Sequence, residues 1–333
     1  MSSIQNILII RLTSMGDVVL TLPAISVLHE HFPDAKISFL TASENAALLQ
    51  GFRAVDETIP LDRAALRCGN PVKMAGEFFG LLRRLRAGKF SLAVDLHGNG
   101  ESAWLTRFTG APQRWGIAQK SSRRWAYTHS TGYHKQLHPA ESHRALLRHC
   151  GLATGVVRNE FVLPDGALAA ARTFFTAQNF TSEKPTLFVQ PFTSGAHKNW
   201  PLENYLAVAR HWRSQDVQVI LGGGPADRIA LEPAQQEGFA VSAGVPLLVT
   251  GGLMQLSTLV LGGDTGALHL AVAQGRRVLM LLYTVTPGSP VPFQHPDWVL
   301  VPPGQAAIAG ISVAEVNAAV ARVFSKSAGD VSG

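Results

Sequence analysis

The chain has 333 residues, 46% hydrophobic and 16% charged, a globular composition long enough for two domains, with no low-complexity tract before a small, polar tail after Lys326. Its two cysteines, Cys68 and Cys150, make no disulfide framework, and neither a signal-peptide layout nor a membrane-length apolar run occurs, so a reduced, cytoplasmic setting is expected. The formal net charge of +6 is uneven, because residues 83–148 carry 12 Lys+Arg against 3 Asp+Glu, marking either a solvated basic surface or the contact for an anionic partner.

Apolar runs predict strands at Ile7–Arg11, Lys36–Leu40, Leu92–Leu96, Thr186–Gln190, Gln218–Leu221 and Arg277–Leu282. Helical patterns lie between them, at Val18–His31, Val72–Arg86, Leu202–Trp212 and Ala267–Gln274, and a last helix is expected over 311–326. This alternation is that of parallel sheets covered on both faces. The second half restarts with the buried-strand run "PTLFVQP", as the first half began with "NILIIR". Two doubly wound α/β domains, 1–165 and 166–333, facing across a cleft, are the simplest architecture.

In "ILIIRLTSMGDVVLTLPAI", Gly16-Asp17 stands where a strand ends and a helix opens. Asp17 is either a helix cap or a carboxylate placed for chemistry, since ligands of open α/β sheets bind at strand ends. In "VDLHGNGESAW", Asp95, His97 and Asn99 follow another strand and either contact a second substrate or satisfy a polar turn. Arg123 and Arg124, in a loop-like stretch beside Trp125, are the first choice for contacts to an anionic acceptor. His134, His138, Glu141 and His143 have no metal-site spacing, and Pro139 interrupts them.

"VQPFTSGAHKNWP" carries the strongest signal of the second half. Thr193, Ser194 and the Gly195 backbone, followed by Lys198, offer hydroxyls, N–H groups and a cation to a phosphate, although the P-loop pattern is absent. "GGDTGALHLA" supplies a helix N-terminus at Asp264, Thr265 and Gly266 that favours an anion, with Asp264 either a cap or a ligand for sugar hydroxyls. His269, one turn on, reads as a structural hydrogen-bonder of the same segment. In "LGGGPADR" the dinucleotide fingerprint fails, and Asp227 is either a ribose contact or a helix-opening acid.

In order along nearly the whole chain, "RLTSMGDVVLTLPAI", "DLHGNGESAWLTRFTGAPQRWG", "PFTSGAHKNWP", "GGP", "GGDTGALHLAVAQG" and "YTVTPGSP" resemble glycosyltransferase family 9, the ADP-heptose:lipopolysaccharide heptosyltransferases. The resemblance implies the GT-B fold, with two Rossmann-like domains, the first binding the acceptor and the second the nucleotide-sugar. It implies inverting, metal-independent transfer without a cofactor, from ADP-heptose to an anionic lipid A–Kdo-type acceptor, at the cytoplasmic face of the inner membrane. It places the general base on Asp17, the donor-phosphate lysine on Lys198, and the Asp-Thr-Gly segment on Asp264, Thr265 and Gly266. Thr193, Ser194, Asp227 and His269 join the donor site, and Asp95, His97, Asn99, Arg123 and Arg124 the acceptor site.

One stretch departs from the pattern: "VTGGLMQLSTLVLGGDTG" reads as several residues too short for the helix and strand expected before Asp264, which predicts a reshaped wall around the nucleotide base. A nucleotide-sugar epimerase would leave the basic segment without a purpose. A nucleic-acid-binding protein would leave Asp17, Lys198 and Asp264 without one, so no nucleic-acid partner is expected.

Overall fold

From Ile7 onward the run "NILII" is wholly buried, as a strand covered by helices on both faces must be. It forms the centre of the first of two sheets in a computed structural model, which describes residues 4–305 and 307–329. The chain divides into two units, Met1–Val162 and Leu163–Gly333. The first contains β1 (Asn6–Ile10), β2 (Lys36–Ala42), β3 (Glu57–Leu61), β4 (Leu92–Asp95), β5 (Gln113–Ala118) and β6 (His129–Gly132), in the order β3-β2-β1-β4-β5-β6. All its pairings are parallel. Its helices are α1 (Met15–Val19), α2 (Leu22–His31), α3 (Pro71–Ala87), α4 (Gly100–Phe108) and α5 (Pro139–His149).

The second unit repeats this plan. Its strands β7 (Thr186–Gln190), β8 (Gln218–Gly223), β9 (Ala240–Ala243), β10 (Leu259–Gly263), β11 (Val278–Leu281) and β12 (Val299–Leu300) pair in the order β12-β11-β10-β7-β8-β9, again all parallel. The helices are α6 (Asp165–Ala177), α7 (Leu202–Ser214), α8 (Glu232–Gln236), α9 (Leu247–Leu256), α10 (Gly266–Ala273) and α11 (Val313–Gly329). Its core is centred on Trp200, Tyr205, Leu221 and Val316. The Trp200 indole donates to Ile311 O at 2.9 Å, tying the loop before α7 to the start of the last helix. That helix opens at Val313, where Ser312 and Glu315 cap one another. Both units are Rossmann-like.

Three expectations are corrected. The helix predicted over Val18–His31 is two helices, because Pro23 in the first turn of α2 cannot donate to the preceding turn. Thr21 fills the junction, its hydroxyl donating to Val18 O at 2.7 Å. The segment before Asp264 is not too short: it holds both α9 and β10. The helix begins at Leu247, upstream of the stretch that looked short, and only Ser257 and Thr258 separate it from the strand. The reshaped wall inferred from a missing element is therefore withdrawn. Finally, β3, β5, β6, β9, β10 and β12 were not foreseen: β3, β6, β9 and β12 are sheet edges, where short, polar or proline-bearing strands are tolerated, as Pro60 is in β3, while the interior β5 opens on the polar Gln113 and Arg114.

Candidate active site

In each sheet the connections reverse direction between the first strand of the unit and its neighbour, β1 and β4 in one, β7 and β10 in the other. The loops leaving the carboxyl ends of such a strand pair form the natural ligand crevice of a doubly wound sheet. Most of the residues singled out by the sequence lie at these two points, whereas Arg123 and Arg124 follow β5 and Asp227 follows β8.

In the first unit the chain leaves β1 through Arg11, turns at Ser14 with a positive φ of 57°, and starts the short α1. Asp17 falls in that first turn but makes no capping bond. Its Oδ1 instead lies 2.9 Å from Arg11 Nη2, with 34% of the Asp17 side chain exposed. Arg11 is itself fixed, donating through Nη1 to Leu96 O at 2.5 Å. Both line a cavity of about 450 Å³, together with His97, Gln119, Tyr133, Ser142 and His143. Burial and the nearby Arg11, Arg63 and Arg123 lower the His97 pKa to about 4. Burial, then Arg11, take His143 to about 3. Both rings are therefore neutral at pH 7. His143 packs under α1, with its Nδ1 3.1 Å from Leu20 O. The cavity thus holds a fixed carboxylate–guanidinium pair among neutral hydrogen-bonding groups.

The neighbouring turn after β4 corrects two acceptor contacts. Asp95 is fully buried and accepts from the His97 and Gly98 N–H groups, at 2.8 and 2.9 Å, and from Tyr127 Oη at 2.6 Å. Its role is to build the turn, and no surface of it is left for a ligand. Burial raises its pKa against these bonds. Asn99 is spent as the N-cap of α4, its Oδ1 accepting from Ser102 N at 2.8 Å. His97 does reach the cavity. Arg123 donates to Gly98 O at 3.0 Å, at the base of the same turn, whereas Arg124 is exposed. Part of the basic segment is internal: Arg114 donates to Ala126 O and Ala111 O, and Arg144 to Glu141, Thr154 O and Gly155 O.

In the second unit the loop after β7 lies against the end of β10, and glycine permits it. A Cβ on Gly262 would stand 2.6 Å from Gln190 O, and one on Gly263 would stand 2.7 Å from Thr193 Cγ2. This close approach brings Lys198 Nζ to 2.6 Å from Asp264 Oδ2. His269 Nε2 lies 3.4 Å from Asp264 Oδ1. Burial opposes the charge on Asp264, but the hydrogen bonds from His269 and Lys198 outweigh it, and the carboxyl is held below its usual range. Asp264 is therefore not a helix cap. Thr265 takes the N-cap position of α10 without a side-chain capping bond. Thr193 is organised by Asn199, whose Oδ1 accepts its N–H at 2.9 Å and faces its hydroxyl at 2.8 Å. Ser194 is exposed. Asp227 accepts from Gly224 N at 2.8 Å and closes its own turn, the structural one of its two readings.

Three residues that shape these sites were not singled out: Arg11, Asn199 and, as a lining residue, His143. Arg11 and Asn199 stand within the stretches quoted for their neighbours, so polar residues flanking a strand-end motif were the available signal. His143 had none, because its place depends on α5 packing beside α2. Among the described residues no three His, Cys, Asp or Glu side chains come together as a metal-ligand group. His138 instead accepts from Ala140 N at the start of α5, and Glu141 pairs with Arg144.

The family model and the curated sequence relatives fall in one group. The family model described as "Glycosyltransferase family 9 (heptosyltransferase)" matches residues 78–299. The chain is 23% identical to the lipopolysaccharide core heptosyltransferase OpsX of Haemophilus influenzae, over 89% of this chain and 84% of that protein. Among solved structures, a glycosyl transferase family 9 protein from Veillonella parvula superposes with a TM-score of 0.86 at 20% identity, over 97% of both chains. The E. coli heptosyltransferase WaaC with ADP gives 0.78 at 20% identity, over 96% of this chain and all of that one.

Proposed function

The chain belongs to glycosyltransferase family 9, and from that premise we propose that it is an inverting, metal-independent enzyme moving heptose from ADP-heptose to an anionic lipopolysaccharide inner-core acceptor of the lipid A–Kdo type. The first unit binds the acceptor and the second the donor. The observation that carries the reading is the Asp17 carboxylate, left without a capping role, oriented by Arg11 and open to a cavity of neutral polar groups.

Asp17 takes the proton of an acceptor hydroxyl as that oxygen attacks the anomeric carbon from the face opposite the diphosphate. The new C–O bond forms as the bond to the ADP oxygen breaks, so the anomeric configuration inverts. His97, His143 and Gln119 give the acceptor neutral hydrogen-bond partners, and Arg123 and Arg124 meet its negative charge. On the second unit Lys198, the hydroxyls of Thr193 and Ser194, and the α10 N-terminus at Thr265-Gly266 stabilise the charge gathering on the departing diphosphate. Asp264, braced by His269, positions Lys198 and takes sugar hydroxyls. Because the acceptor is lipid-linked, the protein works in peripheral contact with the membrane. No described helix is long and apolar enough to cross one.

The test is transfer from ADP-heptose to a Kdo-bearing lipid A acceptor, with the product's anomeric configuration read by NMR. Asp17→Asn should lower turnover by roughly 10²–10⁴-fold, with ADP affinity unchanged, and EDTA should leave the wild-type rate intact. Near-normal turnover in the Asn variant rejects the base; loss in EDTA restored by Mg²⁺ rejects the metal-free route.

A further inference from the structure

The exposed side of the first unit carries a feature the reaction does not use. Helix α3 has 17 residues, of which only Leu81 and Leu85 are buried. Val72 and Phe79, two turns apart on its outer face, are 80% and 65% exposed. From Phe79 a ladder of rings crosses three elements. Phe79 meets Phe78 at 5.8 Å, Phe78 meets Phe108 at 6.4 Å, Phe108 meets Trp104 at 5.5 Å, and Trp104 meets Trp125 at 4.4 Å. Trp104 is 54% exposed and Trp125 47%. A contiguous apolar surface of this kind on a soluble unit marks a docking face.

The charge around the ladder is predominantly positive, with Glu77 the acid next to Phe78 on α3. Arg83 stands one turn beyond Phe79 on α3 and Arg107 one turn beyond Trp104 on α4, while Arg124 adjoins Trp125; all three are exposed, as are Arg84 and Lys120. Of the nearby acids, Glu101 is already held by Arg63 at 3.1 Å. Phenyl and indole rings beside arginines are the composition of a helix lying in a bilayer interface, with rings among acyl chains and cations at anionic headgroups. Two other occupants fit less well. The rings meet edge-on or cover one another, with interplanar angles of 70°, 85°, 25° and 60°, so they offer no row of parallel faces to stacked bases. A two-fold contact with a second copy would set this cationic patch against itself.

We propose that the ladder Phe79–Phe78–Phe108–Trp104–Trp125 and its flanking arginines form the face by which the protein docks on an anionic lipid bilayer, with α3 lying along the headgroups. This rests on the reading of the acceptor as lipid-linked. The ladder adjoins the catalytic cavity through one turn: Arg123, two residues from Trp125, bonds Gly98 O beside His97. Docking there holds the Asp17 cavity next to the surface from which a lipid-anchored sugar projects.

The experiment is flotation of the full chain with phosphatidylethanolamine/phosphatidylglycerol vesicles, and with phosphatidylcholine vesicles as control, without donor or acceptor. Binding is expected to the anionic vesicles only, falling in 0.5 M salt, with tryptophan emission quenched by brominated acyl chains. Arg83→Ala/Arg84→Ala should weaken it roughly 10- to 30-fold. Phe79→Ser/Trp104→Ser, at exposed sites, should abolish the quenching while leaving turnover of a water-soluble, delipidated acceptor unchanged. Equal vesicle binding by wild type and both variants overturns the proposal, as does no binding to anionic vesicles. So does a ladder-dependent dimer in ultracentrifugation, or a ladder-dependent shift of single-stranded nucleic acid, without vesicle binding. Vesicle binding by a protein that transfers no heptose would sink the catalytic reading and leave the docking face standing.

Discussion

Asp264 and Lys198 lie 66 positions apart and meet at 2.6 Å in a partly exposed pair. Each therefore has a structural duty besides its proposed ligand, and a single substitution mixes the two. Lys198→Ala removes a partner from a largely buried carboxylate, which should destabilise the empty protein by about 1–2 kcal/mol, below the range for fully buried pairs because both side chains retain solvent. It should also weaken ADP at least about tenfold, because a charge-assisted bond to the diphosphate is lost. In Lys198→Ala/Asp264→Asn the stranded charge is gone, so the melting temperature should recover while ADP affinity, measured by calorimetry, stays low. Recovery of both would mean that Lys198 acts only by holding Asp264. Unchanged affinity in the single variant would move the phosphate site elsewhere.

The turn after β4 is where local backbone chemistry decides what the sequence can reveal. Gly98 has φ of +72°, and a Cβ there would stand 1.7 Å from Ile117 O, whereas Gly100, the first residue of α4, has nothing within 4 Å. Gly98→Ala should therefore cost at least about 2 kcal/mol in urea unfolding, combining left-handed strain with a backbone clash. Gly100→Ala, two residues on, should gain about 0.4–1 kcal/mol by restricting the unfolded chain. A neutral Gly98→Ala would show that the turn can open. The same turn marks the limit of reading residue types along a chain. "DLHGNG" announces a polar strand end, but one residue builds the turn (Asp95), one caps a helix (Asn99), and only His97 enters the cavity. Their order along the chain does not separate these duties; burial and hydrogen-bond partners do. Most central strands were legible because they are apolar throughout; β5 was the exception, its apolar residues broken up by Gln113, Arg114 and Gly116. The edges were not, since Pro60 in β3 and the two-residue β12 satisfy few strand preferences. In α9–β10, a two-residue connection made two elements look like one.

At the scale of the whole molecule, one topology is used twice with different electrostatics, and this sets the response to pH. The first unit buries His97 and His143 as neutral rings, their pKa values lowered to about 4 and 3. An unfolded histidine titrates near 6.5, so below that pH the unfolded chain binds protons the folded unit refuses. The stability these rings allow is complete above about pH 6.5 and is lost as pH falls toward 4 and 3. Asp95, raised by burial, works in the opposite sense, gaining stability as it protonates. In the second unit Asp264 is lowered, so its contribution persists until pH falls to the carboxylate range, while His295 is lowered by burial and adds a milder acid sensitivity of its own. Because several groups titrate together, the decisive comparison is between slopes. Hydrogen exchange of the β4 and α2 amides, corrected for intrinsic rates, should lose protection between pH 7 and pH 5 in the wild type. In His143→Gln, which retains a donor near Leu20 O, that loss should shrink below pH 6 by a slope approaching about 1.4 kcal/mol per pH unit, the limit for one proton taken up on opening. Amides of β7 report the second unit and should change equally in both proteins. If the β4 slope is the same with and without His143, that buried ring is not what makes the first unit acid-labile, and the response belongs to the unit's other titrating groups, His97 among them.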